Sequence, residues 1–164
     1  MKQERFSINE SRVSCIRMLK KELGDSFFGG ITPSEFALKE YPDVVLENAN
    51  IGKKNEYLKF MKSFDIHVST MGLHRSTGWK FAEYLAAAKA IVCEPLYYES
   101  FGGLSDGKNY LSFTDADSCV EKVMSLLSED KRSEMMMQNK LYADNFMRCD
   151  TLVRNTLIQA GILK

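Results

Sequence analysis

Residues 66–93 read IHVSTMGLHRSTGWKFAEYLAAAKAIVC, and this stretch decides the fold class. Residues 66–69, a short run with the apolar Ile66 and Val68, predict a strand. The alanine-rich segment 78–88, full of good helix formers, predicts a helix. A second apolar run at 90–93 predicts another strand. A strand, a helix and a strand in this order form a βαβ unit, whose two strands are parallel.

The rest of the chain continues the alternation. Further strands are predicted within residues 27–31, 44–46 and 110–113. Helices are predicted at 11–23, 55–63, 116–127, 130–146 and 150–160, with a short helix that opens at Pro33 and must end at Pro42. We therefore expect a single Rossmann-like domain over residues 1–164. It is a three-layer α/β/α sandwich around a parallel sheet of about five or six strands, and its ligand edge lies at the carboxyl ends of the strands.

Composition excludes several classes of protein. The 22 basic and 22 acidic residues balance, so nothing indicates a nucleic-acid partner. No apolar run is long enough for a membrane span, and the first residues lack the apolar stretch of a signal peptide. The four cysteines are scattered without a CxxC pair, and the two histidines are seven residues apart, so no metal site or disulfide framework is expected. A cytoplasmic protein with reduced thiols fits best.

The loop that joins the strand at 66–69 to the next helix has the features of an anion site. Ser76 or Thr77 is placed to cap the helix. The free N–H groups of Gly78, Trp79 and Lys80 would then point outward at the positive end of the helix dipole, which suits a phosphate. Arg75 and Lys80 add positive charge. The alternative is an ordinary capped helix with two solvated cations.

Four segments resemble GT-B glycosyltransferases of the group 1 type. Residues 78–92 resemble the family's K-x-x-E-x-x-A-x-G-x-P-V-V segment, and residues 104–111, with Asp106-Gly107-Lys108-Asn109, resemble its I-x-D-G-x-N-G-x-L turn. Residues 115–127 and 130–134 resemble the two helix starts that follow. The matches occur in the family's order and cover about residues 65–147.

The resemblance implies a nucleotide diphosphate sugar, UDP- or GDP-linked, as substrate, and no cofactor. It implies that the donor diphosphate lies at the helix start, near Arg75, Ser76, Thr77, Gly78, Trp79 and Lys80. It implies that Glu83 binds the ribose hydroxyls, for which a carboxylate is suited because it accepts two hydrogen bonds from a vicinal diol. The base would border residues 47–54, with Asn50, Ile51 and Lys54 as candidates. The alternatives are an exposed helix glutamate and an ordinary polar loop.

The chain also departs from the family's pattern. Arg75 stands where many members carry a second glutamate, and Ala88 and Ala90 occupy the G-x-P positions. The family's basic phosphate loop is not recognisable, and Arg12, expected at the start of the first helix, is a candidate substitute. These departures place the chain nearer to the CgeB-like glycosyltransferases.

Other polar residues lie at the predicted ligand edge. His67, within a strand, is expected to be structural, whereas His74 in the loop is a candidate for the sugar pocket. Residues 94–103 follow the strand at 90–93, and Glu99 is a candidate acceptor for sugar hydroxyls. A packed surface loop is equally compatible with this segment.

The resulting hypothesis is the donor-binding domain of a two-domain glycosyltransferase, acting in cell-surface polysaccharide or glycan biosynthesis. The acceptor-binding domain would be absent from this chain and supplied N-terminally or by another chain. The isolated domain would then be inactive or nearly so. Any peripheral membrane association would come through the full-length enzyme only. The alternative is a non-enzymatic α/β domain that binds a nucleotide or a protein.

Overall fold

The computed structural model describes residues 2–163 and is a mixed α/β fold. The helices are α1 (Lys2–Leu23), α2 (Glu35–Glu40), α3 (Lys54–Lys62), α4 (Trp79–Ala86), α5 (Ala116–Ser125), α6 (Glu129–Tyr142) and α7 (Cys149–Gln159). A π-helical turn, Ala143–Met147, joins α6 to α7. The strands are β1 (Ile66–Ser69), β2 (Ala90–Cys93) and β3 (Leu111–Ser112). None of the helices within residues 2–163 is both long and apolar enough to cross a membrane.

The sheet is parallel throughout, in the order β1-β2-β3. Its central strand β2 is buried at every position, and alternate residues face opposite sides. Ala90 and Val92 pack with α1 and α5, whereas Ile91 and Cys93 pack with α3 and α4. Helices therefore cover both faces of a parallel sheet, as the sequence predicts.

The described residues form a sheet of three strands, so the expectation of five or six strands was wrong for this part of the chain. Residues 27–31 and 44–46 were predicted as strands but form none. They are joined by a single parallel bridge between Ile31 and Val45. At this bridge the N–H of Ile31 donates to the carbonyl of Val44 at 2.8 Å and its carbonyl accepts from the N–H of Leu46 at 2.9 Å. Gly30 permits the close approach of the two segments, because a Cβ there would lie 2.8 Å from the carbonyl oxygen of Val44. The short helical turn Pro42–Val44 immediately before Val45 shortens the second segment further.

The first helix is longer than its apolar pattern indicates. The pattern begins at Ser11, but α1 begins at Lys2, so Arg12 lies in the middle of the helix and not at its start. Val13, Cys15 and Leu19 are its buried residues: Val13 packs against Tyr41 and Val44, and Cys15 and Leu19 pack with Ala90 and Val92 of β2. The first half of α1 is polar and has no apolar face, so only the helix propensity of its residues indicates a helix there.

Candidate functional site

The helix α4 begins at the carboxyl end of β1 with uncapped amides. Gly78 is the N-cap residue, and no side chain caps the helix, so the expectation that Ser76 or Thr77 would do so was wrong. The backbone N–H of Phe81 donates to the carbonyl of Gly78 at 3.1 Å. Within residues 2–163, the N–H groups of Trp79 and Lys80 have no protein acceptor. These two amides are therefore available to an anion.

Ser76 is held in the loop before the helix. Its carbonyl accepts a hydrogen bond from the N–H of Gly72 at 2.9 Å, and its own N–H donates to the carbonyl of Leu73 at 3.1 Å. The hydroxyl of Ser76 lies 2.7 Å from the point where a Cβ of Gly72 would be. The missing side chain of Gly72 thus leaves room for this hydroxyl, which turns away from the helix it was expected to cap.

Two consecutive residues of this loop have a left-handed backbone, His74 with φ 58° and Arg75 with φ 56°. Non-glycine residues adopt this conformation only when surrounding contacts hold them. The carboxylate of Glu4 accepts a hydrogen bond from the N–H of His74 at 2.5 Å, and the hydroxyl of Tyr98 donates to the carbonyl of His74 at 3.0 Å. The guanidinium of Arg75 lies 4.5 Å from the ring centre of Tyr97. The loop at 72–78 therefore packs against the loop that follows β2.

Arg12 reaches the same edge of the sheet from α1. Its Nε donates to the hydroxyl of Thr70 at 2.8 Å and its Nη2 to the carbonyl of Met71 at 3.2 Å. Burial lowers the pKa of Arg12, and the charge of Glu94 partly offsets this. Partial desolvation lowers the pKa of Lys80, and Arg12 lowers it further because the two cations are near each other, whereas Glu83 raises it. Arg12 bonds to Thr70, whose carbonyl oxygen lies beside Gly78, and Lys80 belongs to the first turn of α4, so both cationic residues lie near the helix start.

Glu94 was not singled out from the sequence, although it organises the edge. It directly follows β2, and its carboxylate accepts hydrogen bonds from the hydroxyl of Ser11 at 2.8 Å and from the N–H of Met71 at 2.6 Å. It thereby ties α1 to the residues that follow both β1 and β2. The sequence did carry a signal that could have identified Glu94: it is a carboxylate that directly follows a buried strand at the expected ligand edge.

Glu83 and Lys54 form an ion pair between α4 and α3. The carboxylate side chain is 19% exposed and the ammonium side chain 65% exposed. Lys80, one turn before Glu83 on α4, holds its ammonium 5.6 Å from the ring centre of Tyr57 on α3. The residue predicted for the ribose and one of those predicted for the base are thus neighbours.

The other candidates are less closely connected. Asn50 is exposed, and its N–H and carbonyl bond to Asn48 and Lys53 within the turn Ala49–Gly52, where Ile51 is half-buried. Neither residue bonds to Glu83. Glu99 is exposed, and it forms no hydrogen bond or ion pair with any residue that the structure describes. The roles of these three residues remain predictions.

His67 has a structural setting. Its ring stacks on Tyr84 with 4.3 Å between centres, and its Nε2 lies 3.1 Å from the carbonyl of Phe64. Burial lowers the pKa of His67 to about 4, and the nearby carbonyl groups partly offset this. The imidazole is therefore neutral near pH 7 and is part of the packing between β1 and α4.

A buried amide pair supports the turn at 105–110. The Asn109 side-chain amide donates to the side-chain oxygen of Asn139 at 3.0 Å, and Asn139 donates in turn to the carbonyls of Lys89 at 2.7 Å and Asn109 at 2.9 Å. Both side chains are almost fully buried. Together they join this turn to α6 and to the residue before β2.

The fold and this edge define an α/β protein in which an uncapped helix start lies near a carboxylate at the carboxyl ends of parallel strands. A family model described as "Glycosyl transferase-like" matches residues 12–153, which is most of the chain. The chain belongs to this glycosyl transferase-like family, and its general role is therefore in glycosyl transfer. Searches of curated proteins and of solved structures gave no match.

Proposed function

We propose that this chain is the donor-binding domain of a GT-B glycosyltransferase of the group 1 or CgeB-like type. It takes a nucleotide diphosphate sugar as substrate. The observation that carries the proposal is the start of α4, where the N–H groups of Trp79 and Lys80 are free and where Arg12 bonds to Thr70 beside Gly78. Glu83 lies one turn further along the same helix, and we assign it to the ribose of the same ligand.

In this proposal the diphosphate lies at the helix start. The amides, the helix dipole and the nearby cations stabilise the negative charge that develops on the departing diphosphate. Glu83 accepts hydrogen bonds from the ribose, and the base extends toward Asn50, Ile51 and Lys54. The transferred sugar lies on the other side of the diphosphate, near His74 and Glu99.

An acceptor-binding domain, in the same chain or in another, would complete the active site across a cleft. The product would belong to cell-surface polysaccharide or another glycan. The proposed location is the cytoplasm, where any peripheral membrane association would be through the full-length enzyme. Alone, this domain should bind nucleotide and transfer little or no sugar.

A second candidate is an α/β domain that binds a nucleotide or a protein without catalysis. Arg75 favours it, because this residue stands where many family members have a glutamate and its guanidinium packs on Tyr97. A nucleotide-sugar hydrolysis or transfer assay with the full-length enzyme separates the two. Release of UDP or GDP from a sugar donor supports transferase activity, whereas binding without turnover supports the second candidate.

Titration with UDP, GDP and ADP tests nucleotide binding directly. Trp79 is the only tryptophan of the chain, is 89% exposed and is the first residue of α4, so its fluorescence reports on the proposed phosphate site. We expect a saturable change with UDP or GDP and a weaker one with the matching nucleoside, which lacks phosphates. Absence of fluorescence change and of binding heat at millimolar nucleotide would overturn the proposal.

A further inference from the structure

Tyr57 carries a hydroxyl group with an unusual setting. The oxygen is shielded from solvent. It lies near the hydroxyl of Tyr84 and the carboxylate of Glu83, but it forms no well-formed hydrogen bond with any residue that the structure describes. A buried polar group without a partner costs folding free energy, so proteins keep few of them. An unpaired hydroxyl next to a candidate ligand site is explained if the ligand provides its partner.

The groups around this hydroxyl belong to the proposed ribose site. Burial raises the pKa of Tyr57, and the neighbouring Tyr84 and Glu83 raise it further. Lys54, one turn before Tyr57 on α3, is paired with Glu83, and the ammonium of Lys80 lies over the ring of Tyr57. The hydroxyl therefore lies where α3 and α4 meet, beside the carboxylate proposed to hold the ribose.

The ion pair beside the hydroxyl can open. Lys54 is a long side chain that is 65% exposed, and its ammonium bonds to one oxygen of Glu83. Because the ammonium of Lys54 remains exposed to water when the pair opens, releasing it costs little free energy. A vicinal diol that binds both oxygens of Glu83 competes with Lys54 for one of them.

We propose that Tyr57 is a specificity-determining residue for the donor, and that its hydroxyl donates a hydrogen bond to a ribose hydroxyl held by Glu83. A ribose hydroxyl suits both partners, because it donates to the carboxylate and accepts from the tyrosine. The inference rests on the proposed function. Its chemical consequence is that the site prefers ribonucleoside diphosphates to their deoxy analogues.

The test uses Tyr57→Phe, which removes only the hydroxyl, and Tyr41→Phe as the matched control. The hydroxyl of Tyr41 donates to Glu10 at 2.8 Å, and the ring belongs to a separate cluster with Val13 and Val44 that contains no residue of α3 or α4. Each protein is titrated with UDP and GDP and with their 2′-deoxy and 3′-deoxy analogues, and its melting temperature is measured.

We expect Tyr57→Phe to weaken binding of the ribonucleotide roughly two- to tenfold. Binding of the analogue that lacks the contacted hydroxyl should be unchanged, so the preference for ribose falls. The melting temperature should equal or exceed that of the wild type, because the lost hydroxyl has no protein partner. Tyr41→Phe should melt at a lower temperature and bind nucleotide as the wild type does.

Wild-type affinity and an unchanged ribose preference in Tyr57→Phe would overturn the inference while nucleotide binding itself stands. A melting temperature several degrees lower would also overturn it, because the hydroxyl would then have a partner in the protein. Failure of the wild type to bind any of these nucleotides would overturn the proposed function and this inference together.

Discussion

The carboxylate of Glu83 accepts a hydrogen bond from the ammonium of Lys54, and this pair joins the second turn of α4 to the first residue of α3. The two residues are 29 positions apart in the chain. In the proposed site they border the ribose and the base, respectively. Substitutions at this pair therefore test the proposed nucleotide binding most directly.

Glu83→Ala should weaken binding of UDP or GDP without unfolding the domain. Hydrogen bonds to a charged group are worth about 1.5–3 kcal/mol, so we expect a loss of roughly ten- to a hundredfold in affinity, measured by calorimetry. Glu121→Ala is the matched control, because it removes an exposed helix glutamate from α5. Equal affinities of the two variants would remove Glu83 from the site.

Ala88→Gly should stabilise the protein. Ala88 has φ 54° where the family pattern carries glycine, and a left-handed backbone costs a residue with a Cβ about 1 kcal/mol. Denaturant unfolding should show a gain of that order. Ala86→Gly, in the last turn of α4, is the control and should destabilise the protein by about 0.5–1 kcal/mol. A loss of stability at both positions would contradict this account of Ala88.

Asn139→Ala should destabilise the fold strongly. It leaves two buried carbonyls, those of Lys89 and Asn109, and the amide of Asn109 without a partner. A cost of about 3 kcal/mol in the free energy of unfolding is expected. Met137→Ala on the exposed side of the same helix should change stability by less than about 0.5 kcal/mol. Similar losses in the two variants would show that the amide pair contributes nothing specific.

Stability should fall between about pH 6.5 and pH 4 because of His67. Its pKa is lowered to about 4 in the folded protein from an ordinary value of 6.5. As the pH falls through this window, the unfolded chain binds a proton that the folded protein does not, so the contribution is complete above pH 6.5 and is lost toward pH 4. The loss amounts to roughly 2–4 kcal/mol.

His67→Phe keeps an aromatic ring against Tyr84 and has no proton to bind. Its free energy of unfolding, measured by urea at pH 7 and pH 4.5, should fall less with acid than that of the wild type. Parallel pH profiles of the two proteins would show that His67 is not the group responsible.

Local pattern predicted much of the fold. The strands at Ile66–Ser69 and Ala90–Cys93 were predicted at their observed residues, because each is a short run with branched apolar residues next to a predicted helix or loop. The helix between them was also predicted, two residues longer at its end and one at its start. The predicted helix 130–146 instead changes to a π-helical turn at Ala143, which no periodicity signals.

The parts that were missed depend on contacts between distant residues. Asn109 and Asn139 are 30 positions apart, and neither lies in a pattern that marks a buried amide. The orphan hydroxyl of Tyr57 is visible only once α3 and α4 are packed together. The cap at Gly78 was missed because backbone hydrogen bonds to Gly72 and Leu73 hold Ser76 in the loop, with its hydroxyl over Gly72.

A shortened chain must retain Asn139, because its side-chain amide satisfies two buried carbonyl groups. A protein truncated after α5 would retain all three strands, yet the carbonyls of Lys89 and Asn109 would lose their donor, and the N–H of Ile91 would lose the sulfur of Met135. Helix α6 therefore satisfies buried backbone groups beside the sheet and cannot be removed without leaving them unpaired. Any minimal version of the domain must extend at least through α6.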